Sequence, residues 1–129
     1  MQKNNGEIRV FITRDIPSIG IDLLKKEGFL VSIWPHDRPI PAEEQIKEAK
    51  KANAVLCIST DKIDKVFLNE CKHLEIISQF AAGYDNIDVA EATKLGIPLG
   101  YAPGAMSEAT ADIAFSLMIA VSRKFFYMH

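Results

Sequence analysis

Apolar runs of strand length alternate with segments whose apolar positions recur every three or four residues, about five times before Tyr101. Ile8-Arg9-Val10-Phe11-Ile12-Thr13 is β-branched and mostly apolar, as a strand is. Asp15-Ile16-Pro17-Ser18 reads as a turn. Ile19, Leu23 and Leu24 then share one face, with Lys25, Lys26 and Glu27 on another, and Gly28 closes a short amphipathic helix. Leu30 to Trp34 reads as a second strand and the proline-rich stretch Pro35 to Pro41 as a loop. Pro41-Ala42-Glu43-Glu44 opens a helix with acids in its first turn, where the helix dipole favours them. Ala54 to Ile58 is continuously apolar, as a parallel strand covered on both faces would be. Helical spacing over Ile63 to Cys71, a strand over Leu74 to Phe80, a helix over Val89 to Leu95 closed by Gly96, and a strand over Ile97 to Tyr101 complete the series. Hairpin signals are absent between the strands. The pattern predicts a flavodoxin-like, parallel five-stranded sheet with helices on both faces.

The last segment breaks that rhythm. From Ser107 to the end the chain has neither proline nor glycine, and Ser107 suits an N-cap ahead of Glu108 and Asp112. Ile113, Leu117, Val121 and Phe125 form one apolar stripe, which Ala114, Phe115, Met118, Ile119 and Phe126 widen over most of the helix surface. A helix of this kind needs cover on nearly all sides, and one α/β layer supplies only one. The expectation is an α/β domain over residues 1–104 and a connecting or dimerising helix over 105–129, with 107–127 as its interface and the chain cut within a larger protein.

Composition narrows the classes. At 129 residues the chain has one domain's length, and its net charge of −2 is spread without a basic patch, which disfavours nucleic acid as a partner. The apolar stretch Ile113 to Val121 is far below the ~20 residues of a membrane span. The polar lead Met1 to Glu7 has no signal-peptide core. Cys57 and Cys71 form no CxxC pair and read as buried free thiols, so a cytoplasmic location is expected.

Two turns could carry chemistry. Ala81-Ala82-Gly83-Tyr84-Asp85-Asn86-Ile87-Asp88 follows the fourth strand directly, and ligands of open parallel sheets sit beyond the carboxyl ends of strands. Small residues there let successive amides approach a carboxylate or phosphate, while Asp85 and Asn86 can hold the turn through side-chain bonding. The second turn, Pro103-Gly104-Ala105-Met106-Ser107-Glu108-Ala109-Thr110-Ala111-Asp112, leads into a helix N-terminus, where Thr110 and Asp112 could face a ligand or simply cap a solvated end.

Together, AAGYDNIDVAEATKLGIPL and PGAMSEATADIAFSLMIAVSRK resemble the D-isomer-specific 2-hydroxyacid dehydrogenase family. The upstream AVLCISTDKIDKVFLNECKHLEIIS resembles its glyoxylate/hydroxypyruvate reductase branch. The likeness runs from about Ile8 to Lys124. It implies the substrate-binding part of a two-domain enzyme that reduces a small 2-oxoacid with NAD or NADP. By that resemblance the amides of Ala82 and Gly83 bind the substrate carboxylate, and Ser59 and Thr60 line the same cleft. Thr110 would lie near the nicotinamide, on a helix that crosses to the cofactor domain and joins a homodimer interface. Ala82 stands where the family more often has a larger aliphatic residue, and Ala102 where it has threonine.

No GxGxxG occurs; Gly96, Gly100 and Gly104 are spaced by four. The family's catalytic arginine, glutamate and histidine have no counterpart here, since His36, His73 and His129 do not match its histidine. This chain alone is therefore expected to hold no cofactor or metal and to be inactive. Two alternatives stand beside this reading. One is a receiver-like signalling module, for which Asp15 and Asp61 would supply acids but Ala102-Pro103-Gly104 lacks the required lysine. The other is a non-catalytic dimerisation module. An FMN-binding flavodoxin is disfavoured because Thr13 to Gly20 lacks a hydroxyl- and glycine-rich phosphate loop.

Overall fold

The computed structural model describes residues 7–127. The polar lead over 1–6, the side chain of Phe126, and Met128 and His129 lie outside the described residues. Five parallel strands form one sheet: β1 (Arg9–Ile12), β2 (Leu30–Ile33), β3 (Ala54–Cys57), β4 (Ile76–Gln79) and β5 (Leu99–Gly100), in the order β2-β1-β3-β4-β5. Helices α1 (Ser18–Lys26), α2 (Ala42–Ala49), α3 (Lys65–Glu70) and α4 (Val89–Leu95) connect them, and α5 (Ser107–Ser122) follows. This is the flavodoxin-like arrangement anticipated from the pattern. The paired strand segments are shorter than the apolar runs that announce them, because the run ends are where the chain leaves the ladder.

Strand order and handedness decide which face each helix covers. Parallel crossovers are right-handed, so the step from β1 to β2 in one direction puts α1 on one face. The steps from β2 to β3, β4 and β5 run the other way and put α2, α3 and α4 opposite. The side chains obey the strand period of two. Val10 and Ile12 join Ile21 of α1, with Ala54 and Leu56 packed beside them. Phe11, Val55, Cys57 and Ile77 point the other way into the larger core with Ile63, Phe67, Leu68, Ala92 and Ile97. Phe11, Ile12, Ile63, Leu68 and Ile77 are among the fully buried side chains. Each contributes roughly 1.5–3 kcal/mol relative to an exposed position.

The face shared with α1 is only partly covered. Beyond that helix lies an apolar groove of about 610 Å³, lined by Val10, Leu24, Leu56, Ile76 and Phe80 among others. Helix α5 does not fill it. None of its residues is buried, and Ile113, Phe115 and Met118 are 64%, 64% and 68% exposed. Among the described residues the strongly apolar helix thus lacks the cover that its sequence calls for.

The structure corrects two expectations about this segment. Ser107 is the first helical residue rather than the N-cap; Met106 occupies that position, without a side-chain cap bond. The helix also stops at Ser122 instead of running to 127. Arg123 caps it, Lys124 takes the left-handed φ of 52°, and Phe125–Tyr127 form a separate 3₁₀ turn. The left-handed residue breaks the ladder that an unbroken helix would continue. Gly96 closes α4 at φ 72°, where a β-carbon would be strained.

Asp64 caps α3, accepting from the amides of Val66 and Phe67 at 3.0 Å. The Phe67 amide, helped by Lys62, holds this carboxyl below its ordinary pKa. The stabilisation is therefore present above the usual carboxylate range and is lost as pH falls through the lowered folded value. Asp64→Ala should cost about 1 kcal/mol at pH 7. Urea unfolding midpoints of the two proteins should converge as pH drops below about 4. A gap that persists undiminished at pH 2.5 would show that the carboxylate is not its source.

Candidate functional site at the carboxyl ends of β3 and β4

Strands β3 and β4 lie side by side with Cys57 opposite Gln79, and the Phe80 amide extends the ladder by donating to the Cys57 carbonyl at 2.8 Å. The next residues of each strand consequently leave the sheet together. Ser59 and Thr60 follow β3, while Ala82 and Gly83 follow β4, and all four are exposed. Among the described residues the amides of Ala82 and Gly83 donate to no protein acceptor. They are available to an anion. Gly83 has no left-handed φ, and a β-carbon there would meet only Asp85 Oδ2, at 3.7 Å. The fold itself does not demand a glycine at that position.

A buried polar network fixes the two loops. Asp61, buried behind Ser59 and Thr60, accepts from the Ile58 amide at 2.8 Å and from the hydroxyl of buried Thr13. Asn86 donates from Nδ2 to the carbonyls of Asp61 at 2.8 Å and Ile58 at 3.2 Å. Its Oδ1 accepts from Nε2 of buried Gln79 at 2.7 Å. Cys57 Sγ donates to Gln79 Oε1 at 3.0 Å. Main-chain bonds reinforce the junction. The Ile63 amide donates to the Asn86 carbonyl at 3.0 Å and the Asp88 amide to the Ile63 carbonyl at 2.9 Å, making an isolated parallel bridge between Ile63 and Ile87.

The third wall comes from β5. The Ala102 amide donates to the Ala81 carbonyl at 3.0 Å, and Tyr101 meets Tyr84 edge to face with ring centroids 5.0 Å apart. Such a pair is worth roughly 0.5–1.5 kcal/mol beyond its buried area. It steadies the loop that presents Ala82 and Gly83.

The resemblance puts Ser59, Thr60, Ala82 and Gly83 in one cleft; in the structure the first two follow β3 and the last two follow β4, its neighbour in the sheet. Thr110 follows neither of these strands. It is exposed in the first turn of α5, its amide donating to the Met106 carbonyl at 3.0 Å. Asn86 does hold its turn, but through a loop 25 to 28 residues away rather than its own backbone. Asp61 faces Thr13 and Ile58 instead of opening with exposed Asp15 into an acidic pocket.

The sequence pattern does not single out Gln79 and Thr13, which support these loops. Their one visible signal is a polar side chain closing an otherwise apolar strand. A separate cleft of about 290 Å³ beyond β1 and β2 also went unremarked; Arg14, Asp15, Trp34 and His36 are among its lining residues.

Residues 10–125 match the family model described as D-isomer specific 2-hydroxyacid dehydrogenase, catalytic domain. The glyoxylate reductase of Pyrococcus horikoshii is 42% identical over 115 residues, covering 89% of this chain and 34% of that protein. That of Thermococcus litoralis is 41% identical over 116 residues, covering 90% and 35%. The chain therefore spans about a third of the length of these relatives. The crystal structure of TT0316 protein from Thermus thermophilus superposes with a TM-score of 0.83 at 30% identity, covering 92% of this chain and 38% of that one. The NAD+-bound 3-phosphoglycerate dehydrogenase of Entamoeba histolytica gives 0.77 at 25% identity, covering 96% and 42%.

The thiols report on the integrity of this region. Burial pushes Cys57 up to about 12, with the Asp61 charge adding to the effect, and pushes Cys71 up to about 11. Both are free and buried. Only the thiolate is nucleophilic, so at pH 8 its fraction at Cys57 is on the order of one in ten thousand. Iodoacetamide at pH 8 should leave both cysteines unmodified in the native chain and alkylate both in guanidinium, as read by intact mass. Rapid native alkylation of Cys57 would show that the β3 end is open.

Proposed function

The chain belongs to the D-isomer-specific 2-hydroxyacid dehydrogenase family, and we propose that it is the substrate-binding part of an NAD(P)-dependent enzyme reducing a small 2-oxoacid, of glyoxylate or hydroxypyruvate type, to the D-2-hydroxyacid. The observation that carries this reading is the pair of amides, Ala82 and Gly83, that donate to no protein acceptor among the described residues and follow β4 where Ser59 and Thr60 follow the neighbouring β3.

A carboxylate accepting from two adjacent amides gains two charge-assisted bonds, each worth roughly 1.5–3 kcal/mol. Those bonds would orient the substrate by its carboxylate. The hydroxyls of Ser59 and Thr60 would close the side of the cleft towards β3. With alanine at 82, the wall of the pocket is less bulky than an aliphatic residue would make it, leaving room beside the substrate's second carbon.

When bound, NAD(P)H supplies the hydride. The glycines Gly96, Gly100 and Gly104 do not form a nucleotide fingerprint, so a cofactor domain outside this chain would hold the nucleotide. Residues 1–104 then serve as the substrate domain and 105–129 as the connection to the cofactor domain. Helix α5 would find its cover there and in a homodimer, bringing Thr110 towards the nicotinamide. The proton donor and the arginine facing the substrate carbonyl would come from that same domain, leaving the isolated chain inactive.

A chimera tests the proposal. Residues 1–124 replace the matching segment of the P. horikoshii glyoxylate reductase, and NAD(P)H oxidation is followed with glyoxylate and hydroxypyruvate. The folded chimera should turn over at least one of them, and the isolated chain neither. Gly83→Pro in the chimera, which removes that N–H donor, should raise KM about tenfold or more, as expected for loss of one charge-assisted bond. A folded chimera that binds cofactor yet reduces no 2-oxoacid would overturn the reading, as would turnover by the isolated chain.

A further inference from the structure

We propose that Asn86 is the positioning residue of this site: its side-chain amide sets the height of the Ala82–Gly83 amides against Ser59 and Thr60. The inference rests on the carboxylate-binding reading above and assigns that site its geometric control.

Asn86 bonds directly to the carbonyls of the loop after β3 and to the side chain of Gln79 on β4. From one amide group it reaches the Ile58 and Asp61 carbonyls, on either side of Ser59 and Thr60, and the Gln79 side chain at the foot of the β4 loop. Its own carbonyl receives the Ile63 amide. Ile58 and Asp61 form a tight turn, the Asp61 amide donating to the Ile58 carbonyl at 3.0 Å. Bonds from Asn86 to both ends of that turn therefore hold the whole Ser59–Thr60 segment as one piece.

The chemistry of the position is specific to an amide. Two carbonyls need a donor and Gln79 Nε2 needs an acceptor, and one primary amide supplies both. Aspartate keeps the size and the acceptor but cannot donate. It would also set a negative charge against two carbonyl oxygens, beside the Asp61 carboxylate. Alanine removes donor and acceptor together. Neither change touches an apolar core contact, so the principal consequence is release of one loop from the other. A shift of about 1 Å in the donor amides is enough to spoil a two-point bond to a small carboxylate.

The test uses the full 129-residue chain, labelled with nitrogen-15 and titrated with sodium oxalate while amide shifts are followed. The panel is wild type, Asn86→Ala, Asn86→Asp, Asn86→Ser and Val31→Ala. The last lies on β2, packed on the α1 side of the sheet away from the site, and matches loss of stability without touching the junction. Wild type should show saturable shifts at Ala82 and Gly83. The alanine and aspartate variants should weaken oxalate binding at least tenfold, and the serine variant, which retains a small donor, less than either. Val31→Ala should bind within twofold of wild type despite a lower Tm. Hydrogen exchange at Ile63 and Asp88 should quicken in the Asn86 variants and not in Val31→Ala.

Binding by Asn86→Ala within twofold of wild type would overturn the role of Asn86 while leaving the site reading intact. Equal weakening by Val31→Ala would reduce the effect to general stability and overturn it too. A wild-type chain that shows no shift with oxalate would overturn the carboxylate reading and, with it, this assignment. Should Asn86→Ala or Asn86→Asp fail to fold, Asn86→Ser against Val31→Ala decides by the same criteria.

Discussion

Polar groups sealed at the carboxyl ends of the central strands govern this molecule. Once β3 and β4 leave the ladder, the carbonyls of Ile58 and Asp61 and the side chains of Gln79 and Thr13 sit where water cannot serve them freely. A buried group left unpaired costs roughly 1–3 kcal/mol, so the loops adopt the arrangement in which Asn86 and Asp61 satisfy them. That requirement carries the loop after β3 and the loop after β4 into fixed relation. The amides of Ala82 and Gly83 lie outside that network: among the described residues they donate to no protein acceptor.

The two faces of the sheet show a second consequence of chain order. Handed crossovers assign α2, α3 and α4 to one face and leave α1 alone on the other. The groove beside α1 and the apolar surface of α5 are both uncovered among the described residues. A protein built to expose this much apolar helix is unusual unless another element meets it. Membership of a family whose relatives are matched over only about a third of their length is consistent with such an element. No helix among the described residues is long and apolar enough to cross a membrane.

Much of the architecture was legible from local rhythm. Continuous apolar runs such as Ala54 to Ile58 announce parallel strands, and Gly96 announces the end of α4, because each reflects a local backbone preference. The segment from Ser107, free of glycine and proline, was legible as a helix for the same reason. Its end was not: Lys124 turns left-handed although neither Arg123 nor Lys124 is a helix breaker. Site residues carried over by resemblance, Ser59, Thr60, Ala82 and Gly83, fall together because strand register puts them there. The partners that hold them were hidden. Thr13 meets Asp61 across 48 residues of sequence and Asn86 meets Ile58 across 28, and no periodicity encodes such distances. Thr110 lies on a helix none of whose residues is buried, so its relation to the site depends on what covers that helix.

In the proposed function a small carboxylate is held by main-chain donors and not by a cationic side chain. The rival within this chain is the cleft at Arg14, whose Nε is buried without a hydrogen-bond partner among the described residues and whose Nη1 lies 3.3 Å from exposed Asp37. A crystal structure of the chain grown with oxalate separates the two most directly. A carboxylate should lie within hydrogen-bonding distance of the Ala82 and Gly83 amides, beside Ser59 and Thr60. Oxalate bound at Arg14 and His36, with the amides of Ala82 and Gly83 empty, would contradict it.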